Sequence, residues 1–221
     1  MAEVKEIYSV ENSEQESFMQ QHAEEIDTVK ESNLMRQIVS ELKKTIKSRG
    51  LTALSAPAIG YSKRIFCVDF KDSEIKTFIN PILIKVSGLG LSRENCSSIP
   101  NRSFIRPRNT DITIMYQRPL GQVETRQVVG KAAYVLQHEL DHLDGLLLTD
   151  ISLEVNDDFD CATDEEREEI ILMYLDSLDI SKKNIDENIQ DDDEAKQLAD
   201  GIRFMEGVAR GEITVENNSS E

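Results

Sequence analysis

Residues 137–145 read QHELDHLDG, with two of the chain's three histidines four positions apart and a glutamate directly after the first. On an α-helix, positions i and i+4 differ by about 40° around the axis, so His138 and His142 project from one face. Helical periodicity over residues 129–144 supports this, because Val129, Ala133, Leu136, Leu140 and Leu143 define an apolar stripe. That stripe leaves the histidine face free for function. Two imidazoles on one face can reach a single metal ion, with Glu139 beside its open position. A catalytic centre of this kind needs a third protein ligand, so the fold must bring another donor onto this helix.

Three cysteines are available. Cys67 lies inside the strand-like run RIFCVDF, where a free cysteine acts as a small buried hydrophobe. Cys96 lies in ENCSSIP, residues 94–100, among small polar residues, and is the better donor. Cys161 falls in an acidic stretch. An odd, sparse set of cysteines argues against a disulfide scaffold and for a reducing compartment, so a cytoplasmic protein is expected. No apolar run approaches ~18 residues. The acidic start MAEVKEIYSVENSEQE also lacks the basic and apolar regions of a leader, so no membrane partner is expected.

The formal net charge of −17 is concentrated at one end. Residues 1–152 carry 20 Asp/Glu against 19 Lys/Arg, whereas residues 153–221 carry 22 against 6. Such a tail is repelled by phosphate backbones, so no direct nucleic-acid binding is expected. Acidic blocks of this kind ordinarily act as solvated tails. This one also has helical patterning: Thr163-x-x-Glu166 precedes Ile170, Ile171, Tyr174, Leu175 and Leu178, and Leu198, Ile202 and Met205 follow. An apolar stripe needs covering, by the body of the chain, by a second copy in a homodimer, or by a protein partner.

Elsewhere, Ser13-x-x-Glu16 with Phe18, His22, Ile26 and Val29 predicts a helix over 13–29. Leu34, Ile38, Leu42 and Ile46 predict another, ending at Gly50. LTALSAPAIG, residues 51–60, reads as irregular. RIFCVDF and TFINPILIKVSG read as strands, and NTDITIMYQRPLGQVETRQVV as a hairpin around Pro119-Leu120-Gly121. The expected architecture is α+β, with mixed or antiparallel strands around the central HExxH helix. Residues 1–33 read as an N-terminal segment, 34–152 as the metal-binding domain and 153–221 as an acidic helical C-terminal extension.

Three of these stretches together resemble the peptide deformylases, whose motifs run GxGxAAxQ, EGCLS and QHExDHLxG. Here they read LTALSAPAIG, ENCSSIP and QHELDHLDG, the last matching at every defined position, and INP at 79–81 follows the same layout. The resemblance implies Cys96, His138 and His142 as metal ligands and Glu139 as general acid/base. It also implies one divalent ion, Fe(II) or Zn(II) with Ni or Co able to substitute, and formylated N-termini of nascent peptides as substrate.

The match fails at the substrate groove. The first motif's final Gln, which in the family helps to hold the oxyanion, aligns with Ala58, and its glycines align with Leu51 and Ala53. In the second motif Gly becomes Asn95 and Leu becomes Ser97, whose backbone N–H would keep half of the oxyanion hole. Ala53, Ala58 and Asn95 are thus the altered substrate-binding positions. Losing one oxyanion donor typically costs about 10²–10³ in kcat, against a whole acceleration of ~10⁶ or more. The expectation is a divergent deformylase with reduced or altered activity. The alternative is a catalytically silent relative that binds a partner. Asn95, Ser55, Ser97 and Ser98 are the nearby groups that offer a replacement donor.

Overall fold

A computed structural model describes residues 3–71, 74–156 and 163. The acidic helices expected after residue 163, and Cys161, lie outside the described residues.

Helix α1 (Ser13–Met19) is capped by Asn12, whose side-chain oxygen accepts the amides of Glu14 and Gln15 at 3.0 and 3.2 Å. The cap therefore falls one residue before the expected Ser13, and the helix stops well short of Val29. Beyond Met19 the backbone finds distant partners. Ala23 N–H donates to the Leu143 carbonyl at 2.8 Å, Ile26 N–H donates to the Asn80 side chain at 3.0 Å, and Glu24 bridges Lys63. Those bonds satisfy an extended chain, and tertiary satisfaction overrides a local helical period. Val29 is 80% exposed instead of lying on a buried stripe. Helix α2 (Ser32–Arg49) ends as expected, with Gly50 in the left-handed region at φ +67° and its N–H on the Ile46 carbonyl.

The strands are β1 (Ala53–Ser55), β2 (Ile65–Val68), β3 (Lys76–Cys96), β4 (Ile99–Gln117), β5 (Val123–Val129) and β6 (Leu153–Val155). They form a sheet in the order β1-β2-β3-β4-β5, with β6 pairing β4. The β1–β2, β2–β3, β4–β5 and β4–β6 pairings are antiparallel. The hairpin at residues 119–121 forms between β4 and β5. LTALSAPAIG is more regular than expected: it contains β1 and a 3₁₀ turn, Pro57–Ile59, because a neighbouring strand is there to pair with it.

Helix α3 (Lys131–Leu143) carries the two histidines, and α4 (Leu148–Ile151) is a single turn. Ala133, Leu136, Leu140 and Leu143 are buried as expected, but Val129 is not on this helix. It ends β5, paired with Asp111, and is 61% exposed.

By chain contacts, the described parts of Met1–Gly88, Asn95–Asn101 and Asn109–Ile151 form one compact unit, and those of Leu89–Glu94, Arg102–Arg108 and Ser152–Glu221 form another. In the first, β2 is buried at all four positions, with successive side chains entering different clusters. Ile65 and Cys67 join Ile38, Leu42 and Ile46 of α2, whereas Phe66 and Val68 join Leu136 and Leu143 of α3. Alternation along a strand places these clusters on opposite faces of the sheet, so β2 separates α2 from α3. Phe66 stacks on Phe78 with centroids 4.7 Å apart on the α3 side. The second unit is held by the buried Glu94–Arg108 pair, bidentate at 2.7 and 2.8 Å, and by β6 pairing across Ser103–Ile105. Excellent geometry is what lets a buried ion pair offset its desolvation.

Candidate metal centre

The site is assembled on α3 and on the tip of the β3–β4 hairpin. Cys96 is the last residue of β3, and only Ser97 and Ser98 separate it from β4, so the turn fixes its position in the chain. The end of α3 is tightly constrained. Gly145 takes φ +78°, and a Cβ there would stand 2.6 Å from the Gln20 carbonyl oxygen, which only glycine avoids. Arg64 closes the same end, donating to Asp144 at 2.6 Å and to the Leu143 carbonyl at 3.3 Å.

Cys96 Sγ lies 3.2 Å from His142 Nε2, and the two histidine rings stand edge-on with centroids 5.0 Å apart. Ligand atoms of Cys96, His138 and His142 all fall within 4.8 Å of one another. Cys96, His142 and Glu139 are buried, whereas His138 is half-buried. The histidine face of α3, opposite its apolar stripe, is itself largely enclosed.

Electrostatics follow from that enclosure. Burial alone would push the Cys96 thiol up, but the His142 charge and hydrogen bonds from both histidines outweigh it and hold the thiol well below its ordinary value. His142 is held above its usual value: burial opposes its charge, and the neighbouring Cys96 thiolate more than compensates. Burial raises the Glu139 carboxyl, with the charges of His138 and His142 pulling the other way. Cys67 behaves differently. Fully buried, its thiol is pushed up to about 12, in keeping with a core residue.

The donor set fits a divalent cation. A tetrahedral ion with a thiolate at about 2.3 Å and an imidazole at about 2.0–2.1 Å sets sulfur and nitrogen roughly 3.5 Å apart, close to the Cys96–His142 separation. One thiolate and two imidazoles also leave a fourth position for a reacting group. Fold and site thus define an α+β protein with an HExxH helix whose two histidines, with Cys96, could hold a metal ion.

Comparisons with known proteins agree. The family model described as polypeptide deformylase matches residues 4–156. The chain is 35% identical over 120 residues to a peptide deformylase of Dictyoglomus thermophilum, covering 54% of this chain and 78% of that one. Its structure resembles the crystal structure of peptide deformylase from Thermotoga maritima, with TM-score 0.60, 26% identity, and coverage of 67% and 97% of the two chains. A Plasmodium falciparum peptide deformylase in complex with an inhibitor gives TM-score 0.56 and 26% identity, over 64% and 85%. The chain belongs to the polypeptide deformylase family, whose members are metal-dependent hydrolases.

The remaining positions read from sequence scatter around this centre. Ala53 is half-buried on β1, whereas Ala58 is 2% exposed within the apolar cluster that contains α2 residues. The side chains of Asn95 and Ser97 are exposed at the hairpin tip. Ser55 and Ser98 are both fully buried, with hydroxyls that have no hydrogen-bond partner among the described residues. The role of Gln137 was missed. It is a buried polar residue that joins α3 to β4, and the sequence hints at it by the Gln that opens the QHExDHLxG motif directly before His138.

Proposed function

We propose that the protein removes the formyl group from N-formylmethionyl N-termini of nascent peptides, as a divergent deformylase of reduced rate. The observation that carries this reading is Cys96 Sγ at 3.2 Å from His142 Nε2, with the buried Glu139 on the same helix. Cys96, His138 and His142 would hold one divalent ion, Fe(II) or Zn(II), with Ni or Co as substitutes. When bound, the cation supplies Lewis acidity to the formyl oxygen and lowers the pKa of water.

The chain's own groups do the rest. Glu139 accepts a proton from the attacking water as the new C–O bond forms at the formyl carbon. It returns that proton to the amine nitrogen as the C–N bond breaks, giving formate and a free N-terminus. A buried carboxylate suits both transfers, because burial raises its proton affinity. Ser97 supplies a backbone N–H toward the developing oxyanion. Ala53, Ala58 and Asn95 are the altered groove positions of the motifs, and Ala58, packed in the apolar cluster with α2, offers no side-chain donor.

The low rate follows from that missing donor, worth about 10²–10³ in kcat. Anaerobic, metal-loaded turnover of a formyl-Met peptide tests the proposal. Turnover that requires Glu139 supports it, and none at any metal loading overturns it.

Ala58 also favours a second reading, a catalytically silent deformylase-fold protein that keeps its metal and binds a partner through the groove or acidic tail. Tight binding of an unformylated peptide, without hydrolysis of the formylated one, selects that reading. We further propose a cytoplasmic site of action, in keeping with the sparse cysteines. Among the described residues no helix is long and apolar enough to cross a membrane. The tail's charge argues for a homodimer or protein partner over nucleic acid.

A further inference from the structure

Ser55 stands where the deformylase motif has its first alanine, so it adds a hydroxyl at that position. Its direction follows from strand register. Ser55 pairs with Phe66 across β1–β2, and directly paired residues point to the same face. Phe66 belongs to the cluster formed with Ala133, Leu136, Leu140 and Leu143 of α3. Leu54, one residue earlier, pairs with Cys67 and packs in the cluster containing α2 residues instead. Ser55 therefore faces the metal-binding helix.

The hydroxyl is fully buried on that face, and it has no hydrogen-bond partner among the described residues. Glu139 Oε2, on α3, is likewise buried without one. Strand β1, which carries Ser55, packs directly against α3, which carries Glu139. Leaving either group unmet is costly, and the two are complementary: a carboxylate only accepts, whereas a serine hydroxyl can donate.

We propose that Ser55 is a positioning residue, donating its hydroxyl hydrogen to the Glu139 carboxylate and so aiming the opposite oxygen at the attacking water. No bond to Ser55 forms or breaks in the reaction. It offsets part of the groove's loss at position 58 by holding the proton carrier in one orientation. The inference rests on the deformylase reading for its role in turnover, but the pairing itself is testable without turnover.

Thermal melting of the metal-free full chain in a double-mutant cycle is that test. Ser55→Ala should lower the midpoint by roughly 2–4 °C beside Glu139. In a Glu139→Leu background, where the hydroxyl has no acceptor, it should leave the midpoint unchanged or raise it. Should Glu139→Leu not fold, Glu139→Met serves as the same background. Equal shifts in both backgrounds make Ser55 a packing residue and overturn the proposal. In metal-loaded protein, Ser55→Ala should cut kcat about ten-fold or more with KM unchanged, while Ser55→Thr restores it. Unchanged kcat in Ser55→Ala, with wild type active, also overturns the proposal. Absence of turnover in wild type removes the proposed function, and the melting cycle then decides the pairing alone.

Discussion

Gln137 and Asn109 pair as two strands would: the Gln137 amide donates to the Asn109 carbonyl at 2.8 Å, and Asn109 N–H donates back to Gln137 Oε1 at 3.0 Å. One side chain thus plugs the backbone of β4 and fixes α3 against the sheet, one residue before His138. It also donates to the Ala133 carbonyl at 3.0 Å, so the amide has little freedom to turn.

Gln137→Leu should therefore destabilise the protein by about 1–3 kcal/mol, since it leaves a half-buried backbone N–H and C=O of Asn109 without this partner. Gln137→Glu keeps the acceptor but loses the donor, and should cost less. Chemical denaturation of the three proteins gives the ranking. A Leu variant within experimental error of wild type would show that water replaces the amide freely.

The proposed metal ligands predict a thiol pattern as well as binding. The His142 charge and hydrogen bonds from both histidines hold the Cys96 thiol well below its ordinary value, whereas Cys67 is buried with its thiol pushed up to about 12. In metal-free native protein, iodoacetamide should label Cys96 well before Cys67, and added Zn(II) or Co(II) should suppress the Cys96 adduct. Peptide mapping by mass spectrometry reads both. Elemental analysis should find one ion per chain, lost in a Cys96→Ser, His138→Ala double variant. Persistent binding in that variant would remove the ligand assignment.

Much of this centre was legible from spacing alone. A four-residue interval on a helix puts two imidazoles together whatever the rest of the fold does, so His138 and His142 could be paired from the sequence. Cys96 was separable from Cys67 because polar neighbours and a strand core are different environments. Helix α2 was equally plain, with an uninterrupted stripe and a glycine at its end. What failed was local pattern opposed by distant partners: residues 20–29 have helical period but spend their backbone bonds on Leu143 and Asn80. Val129 failed for the same reason, since pairing with β4 claimed it before the helix began. Register, which sends Ser55 toward α3, is not written in three residues of a short strand.

Ala58→Gln tests the missing donor at the price of packing. Ala58 is buried beside apolar residues of the α2-side cluster, and its carbonyl accepts from Tyr8 N–H at 2.8 Å. A longer side chain there should cost about 1–3 kcal/mol of stability, as overpacking usually does. If the amide reaches the oxyanion, kcat should rise ten-fold or more, within the ~10²–10³ span of one donor. Stability loss without any gain in kcat would mean that the neighbouring glycine replacements, Leu51 and Ala53, have reshaped the groove.

Asn80 shows why INP at 79–81 matters to the fold. Its backbone takes φ +47°, a left-handed conformation that asparagine tolerates better than most residues. From there its side chain accepts from Ile26 N–H at 3.0 Å and donates to the Ile26 carbonyl at 2.9 Å and to Gln117 at 3.1 Å. This one residue thus holds the extended segment after α1 that sequence periodicity read as helix. Asn80→Ala loses all three bonds and keeps the strained backbone, and should cost about 2–4 kcal/mol. Asn80→Gly loses the bonds but relieves the strain, so it should be the milder change by roughly 1 kcal/mol. Asn80→Asp keeps the acceptor for Ile26 N–H and sets a carboxylate against the Ile26 carbonyl. It should fall between wild type and alanine, with protection of the Ile26 amide in hydrogen exchange largely retained. Loss of that protection in Asn80→Asp, or a glycine variant less stable than the alanine one, would show that neither the left-handed backbone nor the Ile26 bond sets the cost at this position.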